Sequence, residues 1–167
     1  MHYPSSPVAL LQAPPEDQAL VVFLRPAFSG HAVSAAVYEE DRFIAIVMAR
    51  THIVHLTQPD SHRYMVVSEA ADFLDADLAG GKMYFIHVVP RMGAWRARFS
   101  LAALTPHSEQ WPKLKEWLTE SYQVMPNEEG RAWNRNNYDS VREKKEAYLA
   151  GWLQKEPRPV LHTEAMG

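Results

Sequence analysis

The segment from residue 64 to residue 101 constrains the fold most, because it reads as consecutive strands separated by their turns. Its clearest part begins at Trp95, where apolar and polar residues alternate without interruption. One face carries Trp95, Ala97, Phe99 and Leu101, and the other carries Arg96, Arg98 and Ser100. A period of two residues is typical of a strand with one buried face. The sequence therefore predicts a β-rich domain.

Further strand patterns precede this one. Ala19–Arg25 is a continuous apolar run, which indicates a central strand covered on both faces. Shorter runs follow at residues 31–40, 42–48, 52–57, 62–68, 73–78 and 82–89. We expect the first two of these, and the next two, to pair as hairpins. Such spacing predicts an α+β protein built on an antiparallel β-sandwich or partly open barrel of about eight strands.

Turn residues separate these runs. Pro59 and Asp60 form a predicted bend, and residues 90–93 form another, with Gly93 expected at a positive φ. Gly80 and Gly81 precede a lysine, as in a phosphate-binding loop, but a strand pattern rather than a helix follows them. This glycine pair is therefore predicted to be a turn.

A helical period replaces the strand period after residue 104. An amphipathic helix is predicted from Thr105 and Pro106 to about Tyr122, and Asn127 is a predicted N-cap of a short second helix. A Ser140–Glu143 capping box predicts a separate final helix reaching about residue 153. The large rings in this part are Trp111, Trp117, Trp133, Tyr148 and Trp152. We expect them to pack on the sheet as core, the alternative being an exposed patch for a partner.

These patterns divide the chain into four parts. Residues 1–18 form an extended proline-rich arm, residues 19–104 the antiparallel β domain, residues 105–155 a helical appendage packed on it, and residues 156–167 a flexible tail. At 167 residues the chain is long enough for one core without covalent crosslinks.

Composition excludes several classes of protein. The formal net charge of −3 and the isoelectric point near 6.2 provide no positive field for nucleic acid. Without cysteine there is no disulfide, no thiolate metal site and no acylated cysteine anchor. No secretion signal or membrane span is visible, although a removed signal would leave the same sequence. We predict no nucleic-acid partner and no membrane span.

Histidines are the first candidates for chemistry. His52, His55 and His62 lie close in sequence, and His87 lies in a later strand. An offset of three places His52 and His55 on opposite strand faces. His55 and His62 could meet across the second hairpin, but the sequence places no carboxylate or third histidine to complete a metal site. We therefore predict no metal site, and we expect His87 to be semi-buried.

Acidic residues are the second candidates. Glu69, Asp72, Asp75 and Asp77 cluster before the glycine pair, with Asp75 and Asp77 on one strand face. Their spacing does not match a calcium loop, and carboxylates on an exposed strand face are usually solvated. The chain also contains no nucleophile-elbow motif. We therefore predict no catalytic residue and no cofactor.

Three arginines give the one local concentration of positive charge. Arg91, Arg96 and Arg98 are interleaved with Trp95 and Phe99. A binder of single-stranded nucleic acid would place both residue types on one surface, whereas alternation separates them. We expect the aromatic rings to enter the core and the arginines to face solvent or pair with the carboxylates of residues 75 and 77.

Four segments suggest a family: VVFLRP at 21–26, MVVSEAADFLDADL at 65–78, GKMYFIHV at 81–88 and PRMGAW at 90–95. Over residues 19–104 the chain resembles the bacterial DUF2846-like proteins, which are often predicted lipoproteins. The resemblance implies a small exported β-sandwich of unknown function, periplasmic or envelope-associated, with no catalytic residue to carry over. The chain departs from that pattern at residues 59–62 and lacks the acylated cysteine. If it is complete as given, the expected location is cytoplasmic.

Three functions follow as expectations. The leading one is a non-enzymatic β-sandwich module acting in protein interaction or as a cell-envelope accessory. The second is a small-ligand or peptide-binding domain with a pocket between sheet and helices. An enzyme or metal protein using the histidines is third.

Overall fold

The computed structural model describes residues 11–28, 33–92 and 97–162. Within them the strands are β1 (Ala19–Arg25), β2 (Ala35–Glu39), β3 (Arg42–Val47), β4 (Thr51–Thr57), β5 (Ser61–Val67), β6 (Ala71–Asp77), β7 (Met83–Met92), β8 (Ala97–Leu104), β9 (Tyr122–Val124) and β10 (Val160–His162). The helices are α1 (Leu114–Glu120), which a 3-10 turn precedes, and α2 (Glu128–Leu153).

The strands form two five-stranded sheets. Sheet I has the order β8-β7-β1-β4-β9, and sheet II has the order β10-β6-β5-β2-β3. The two sheets pack face to face over the main apolar core. The predicted α+β sandwich is therefore confirmed, and it is open rather than a closed barrel.

Alternation within the strands produces a four-layered molecule. In β1, Val21 and Phe23 enter the core between the sheets, whereas Val22 and Leu24 lie on the outer face of sheet I. All seven β1 residues are buried, which confirms the central strand predicted from the unbroken apolar run. The order of layers is α1, sheet I, sheet II and α2.

The helices cover the outer faces of different sheets. Trp111 and Trp117 pack on sheet I, and Tyr148 and Trp152 pack on sheet II. The expectation that the large rings pack on a sheet is confirmed for these four residues. Trp133 on α2 is instead exposed.

Strand pairing differs from the prediction in two respects. The hairpin of β2 and β3 is confirmed, but the hairpin of β4 and β5 is wrong, because β4 pairs with β1 in sheet I and β5 pairs with β2 and β6 in sheet II. The bend between them carries the chain from one sheet to the other. The sheets are also mixed rather than antiparallel throughout, since β1–β7, β4–β9 and β6–β10 are parallel pairs.

The segments after residue 104 contain more strand and fewer helix boundaries than predicted. The helix expected from Thr105 begins only with the 3-10 turn at Trp111, and Tyr122 opens β9. Asn127 is confirmed as an N-cap, its Oδ1 accepting a hydrogen bond from the Gly130 amide at 2.9 Å. The break at Ser140 is wrong, because α2 is continuous. Three residues of the expected tail form β10.

The turns around β7 also differ in part. The turn at Gly80 and Gly81 is confirmed, and Gly81 has a φ of +76°. The expected turn at Pro90 is wrong, because β7 continues to Met92 in register with β8. A proline is tolerated there because the pairing of β7 with β1 ends at His87, so only one ladder remains. Residues 93–96, including Gly93, Trp95 and Arg96, lie outside the described residues.

Candidate functional site

A buried carboxylate network links the two sheets at one end. Glu39, the last residue of β2, accepts hydrogen bonds from Thr57 Oγ1 at 2.8 Å and Tyr64 Oη at 2.9 Å, and His55 Nε2 lies 2.8 Å from its Oε2. Burial raises the pKa of Glu39, but the hydrogen bonds from His55, Thr57 and Tyr64 and the charge of His55 outweigh burial and lower it to about 2. The carboxylate is therefore ionised at neutral pH.

Two of the histidines that were candidates for chemistry, His55 and His62, lie close to this carboxylate. His62 Nδ1 lies 3.8 Å from Glu39 Oε1, and His62 Nε2 lies 2.8 Å from the Gln58 carbonyl oxygen. His55 and His62 therefore approach each other across the gap between the sheets rather than across a hairpin. Glu39 is the carboxylate that sequence reasoning did not find. The alternation of Val33, Ala35 and Val37, continued by two residues, would have placed it on the buried face.

The Glu39 network supports a structural role. The hydroxyls of Thr57 and Tyr64 both donate to the Glu39 carboxylate, and the lowered pKa of Glu39 makes that carboxylate a weak base for activating either hydroxyl. Although Glu39, His55 and His62 lie near one another, no group of three such side chains in the part of the chain that the structure describes is arranged to hold a metal ion. The network joins β2, β4 and β5 and thereby holds the two sheets in register.

The other two predicted histidines lie on the outer face of sheet I. His52 is buried with its Nδ1 2.7 Å from Ser121 Oγ, and burial lowers its pKa to about 4. Its separation from His55 confirms that the two residues point to opposite faces. His87 is semi-buried, as expected, and its ring centroid lies 4.8 Å from that of Trp117. Burial and the charge of Arg91 lower the pKa of His87 to about 4.

The predicted acidic cluster is dispersed over separate contacts. Asp75 Oδ1 lies 2.8 Å from Arg63 Nε, so the arginine that pairs with it comes from β5 rather than from β7 or β8. Asp77 accepts from the Ser61 hydroxyl, and Asp72 accepts from the Leu101 amide. Glu69 is exposed in the bend between β5 and β6.

The predicted separation of arginines from aromatic rings is confirmed where β8 is described. Arg91 and Arg98 are exposed, and Phe99 is buried. Sequence reasoning missed Arg25, a fully buried guanidinium at the end of β1. Its Nη1 donates to the Val47 carbonyl oxygen at 2.9 Å, and its Cζ lies 4.4 Å from the Phe99 ring centroid. Burial lowers the pKa of Arg25 to about 10.

A groove opens between α1 and the end of sheet I, and we call it the α1 groove. Its volume is about 810 Å³. The side chains with aromatic rings or charges that line it are Phe28, Arg50, His87, Glu116, Trp117, Glu120 and Tyr122. They come from the end of β1, the turn before β4, strand β7 and the junction of α1 with β9, so several elements build one concave surface.

Local hydrogen bonds hold the edges of the α1 groove. Thr51 Oγ1 donates to the Met48 carbonyl oxygen at 2.7 Å, which closes the turn that presents Arg50 with a φ of +59°. The Tyr122 amide donates to the Arg50 carbonyl oxygen at 3.0 Å. The contact of Ser121 with His52 fixes the end of α1. The groove is therefore supported by regular structure on both sides.

Aromatic surface in the α1 groove is open to solvent. Phe28 is 54% exposed and Tyr122 is 45% exposed. The guanidinium of Arg50 lies over the Phe28 ring at 4.9 Å from its centroid. Glu116 and Glu120 lie four residues apart on α1, and both are exposed. A concave surface with exposed rings and a few charges is typical of a binding site.

No protein-family model matches this chain, and no curated protein or solved structure matches it. The resemblance to DUF2846-like proteins therefore stays a prediction. No helix in the described ranges is both long and apolar enough to cross a membrane.

Proposed function

We propose that this protein is a non-enzymatic binding domain that recognises a peptide segment of a partner protein in the α1 groove. The observation that carries the proposal is the concave, partly aromatic surface between α1 and sheet I. This proposal joins the two functions that the sequence favours, protein interaction and a pocket between sheet and helices. A role in the cell envelope stays a prediction.

The position of the groove favours an extended peptide. Tyr122 lines the α1 groove and also begins β9, which is the terminal strand of sheet I. An edge strand offers backbone groups to which an added strand can bind, while a neighbouring pocket accepts one of its side chains. The groove and the edge therefore suit one ligand together.

A free small molecule is the second candidate. The volume of about 810 Å³ falls within the range of small-ligand pockets, which is roughly 300–1,000 Å³. A thermal-shift screen of metabolites distinguishes this candidate, since only a free ligand would raise the melting temperature without any peptide.

The test is selection of random peptides displayed on phage against the full chain. Selected peptides are expected to bind the wild-type protein and to lose affinity about tenfold or more with Trp117→Ala, because a buried aromatic contact of a ligand is often a hot spot. Trp133→Ala is the matched control, since Trp133 is exposed on α2 behind the other sheet. Peptides that tolerate Trp117→Ala but not Trp133→Ala would overturn the proposal.

A further inference from the structure

The α1 groove already accommodates one guanidinium, which belongs to the protein itself. Arg50 Cζ lies 4.9 Å from the centroid of the Phe28 ring, within the range of a cation–π contact. Arg50 adopts a left-handed backbone conformation, which is uncommon for a residue other than glycine, asparagine or aspartate. The turn therefore holds this cation against an exposed ring of the groove.

Charge in the groove remains incompletely balanced. Glu116 and Glu120 both line it, and neither takes part in an ion pair among the described residues. Arg50 is the one lysine or arginine among the described lining residues. His87 adds no charge at neutral pH, because its pKa is lowered to about 4. The groove therefore carries an excess of negative charge beside aromatic rings.

The carboxylates and the indole ring lie together on α1. Glu116 directly precedes Trp117, and Glu120 follows one helical turn after Glu116 on the same side. Two carboxylates beside an aromatic ring complement a cation with a flat, weakly hydrated body. Resting on the proposed function, we infer that the α1 groove recognises the side chain of an arginine in the partner peptide.

Arginine fits this surface better than lysine does. A guanidinium is planar and can stack on a ring while its edge donates to carboxylates, whereas the ammonium of lysine is a compact and strongly hydrated charge. The contact of Arg50 with Phe28 places a guanidinium over an aromatic ring within the same groove. We therefore expect the peptide arginine to lie near Trp117 and Tyr122 and to face Glu116 and Glu120.

The test uses three synthetic peptides that differ at one residue. They are acetyl-Gly-Gly-X-Gly-Gly-amide with arginine, lysine or citrulline at X, titrated into the full chain at low salt while NMR follows the Trp117 indole N–H. Citrulline keeps the shape of arginine without its charge. The arginine peptide is expected to bind about tenfold more tightly than the citrulline peptide and more tightly than the lysine peptide.

Charge variants make the inference specific to the groove. Glu116→Gln with Glu120→Gln is expected to weaken binding of the arginine peptide about fivefold, since both positions are exposed. Asp139→Asn with Glu143→Gln is the matched control, because it removes two charges from exposed positions of α2 and should change nothing. Equal binding of arginine and citrulline peptides, no shift of the groove signals, or equal loss in both double variants would each overturn the inference.

The displayed peptides separate this inference from the proposed function. Selected peptides that depend on Trp117 but contain no arginine would support the proposed binding function and contradict the inference that the groove recognises arginine. Selected peptides that bind independently of Trp117 would overturn both. Enrichment of arginine together with dependence on Trp117 and on the two carboxylates supports both.

Discussion

The two helix-covered faces of the sandwich differ in how completely the helix covers its sheet. At a rise of about 1.5 Å per residue, α2 is about 39 Å long and α1 about 10 Å long, whereas a five-stranded sheet is roughly 20 Å wide. α2 can therefore cover sheet II, while α1 leaves the end of sheet I open as the α1 groove. The short helix is what makes polar and aromatic side chains accessible to a ligand.

Hydrogen bonds reinforce the same difference. On the sheet II side, Tyr38 Oη donates to Asn134 Oδ1 at 2.6 Å and Lys144 Nζ donates to the Ser68 carbonyl oxygen at 2.7 Å. On the sheet I side, the side-chain hydrogen bond described between the sheet and the end of α1 is that of His52 with Ser121. Helix α2 is therefore hydrogen-bonded to its sheet at several points along its length, whereas α1 is hydrogen-bonded to its sheet at one end.

The largest expected effect comes from the α2 face. Trp152 is buried against Phe73, with ring centroids 5.5 Å apart, and Arg63 and Arg158 lie over its ring. Trp152→Ala should lower the free energy of unfolding by about 4 kcal/mol, because it leaves a large cavity. Trp117→Ala should cost about half as much, because Trp117 is only partly buried. Urea denaturation measures both, and equal costs would show that Trp117 is core rather than groove wall.

Glu39 lies between the two sheets, so its ionisation should affect the stability of both helix-covered faces together. Its pKa of about 2 is below the unfolded value of 4.5, so the ionised form is favoured by folding. The ionised carboxylate therefore contributes on the order of 3 kcal/mol to the free energy of unfolding above pH 4.5, and this contribution is lost as the pH falls from 4.5 to 2.

Glu39→Gln should therefore lower stability at pH 7 by about 2–3 kcal/mol and flatten the acid limb of the stability curve. Glu109→Gln, at an exposed position, is the control. Denaturation monitored separately by α1 and α2 amide signals should show a single transition. If Glu39→Gln unfolds one face alone, the sheets are less tightly coupled than the network indicates.

His52 should make the α1 face acid-sensitive before the α2 face. Its pKa of about 4 lies below the unfolded value of 6.5, so folding favours the neutral imidazole. The stability that depends on it is complete above pH 6.5 and falls as the pH decreases toward 4. Hydrogen exchange in α1 and β9 should accelerate over this window more than exchange in α2. His52→Asn should reduce that difference, and an unchanged profile would assign it to His87, whose pKa is lowered to about 4 on the same face of sheet I.

The smallest effect is expected in the groove itself. Glu116→Gln with Glu120→Gln should change the free energy of unfolding by less than about 0.5 kcal/mol, because both carboxylates are exposed and outside any ion pair described for α1. Thermal denaturation at neutral pH measures this. A clear loss of stability would mean that these residues support α1 rather than serve a ligand.

Local pattern predicted the strands well and their partners poorly. Residues 31–40 and 42–48 both alternate, and the acidic turn between them is too short for any partner but each other. The hairpin predicted from that pattern is confirmed. The bend at Pro59 and Asp60 is compatible both with a hairpin and with a crossing between sheets, and only the long-range partner of β4 decides between them. Ser140 and Glu143 match a capping box, but the packing of α2 on sheet II keeps the helix continuous through them.

The candidate site was predictable only in fragments. Trp117 was found as a large helical ring and His87 as a semi-buried histidine, but nothing in their spacing shows that the two rings are in contact. Phe28 and Arg50 lie in connecting segments whose positions depend on the ends of β1 and β4. A groove built from several distant segments leaves no periodic signal in any one of them.

The position of β1 at the centre of sheet I affects how the chain must be made. Its apolar residues pair with β4 on one side and with β7 on the other, and β7 begins only at Met83. During synthesis this strand therefore emerges with one edge that cannot be closed until β7 has left the ribosome, while β2 and β3 pair locally. Long-range parallel pairing is slow, and an apolar strand that waits for it can associate with other chains. Substitutions in β7 should therefore lower the yield of soluble protein even where the free energy of unfolding of the folded chains changes little.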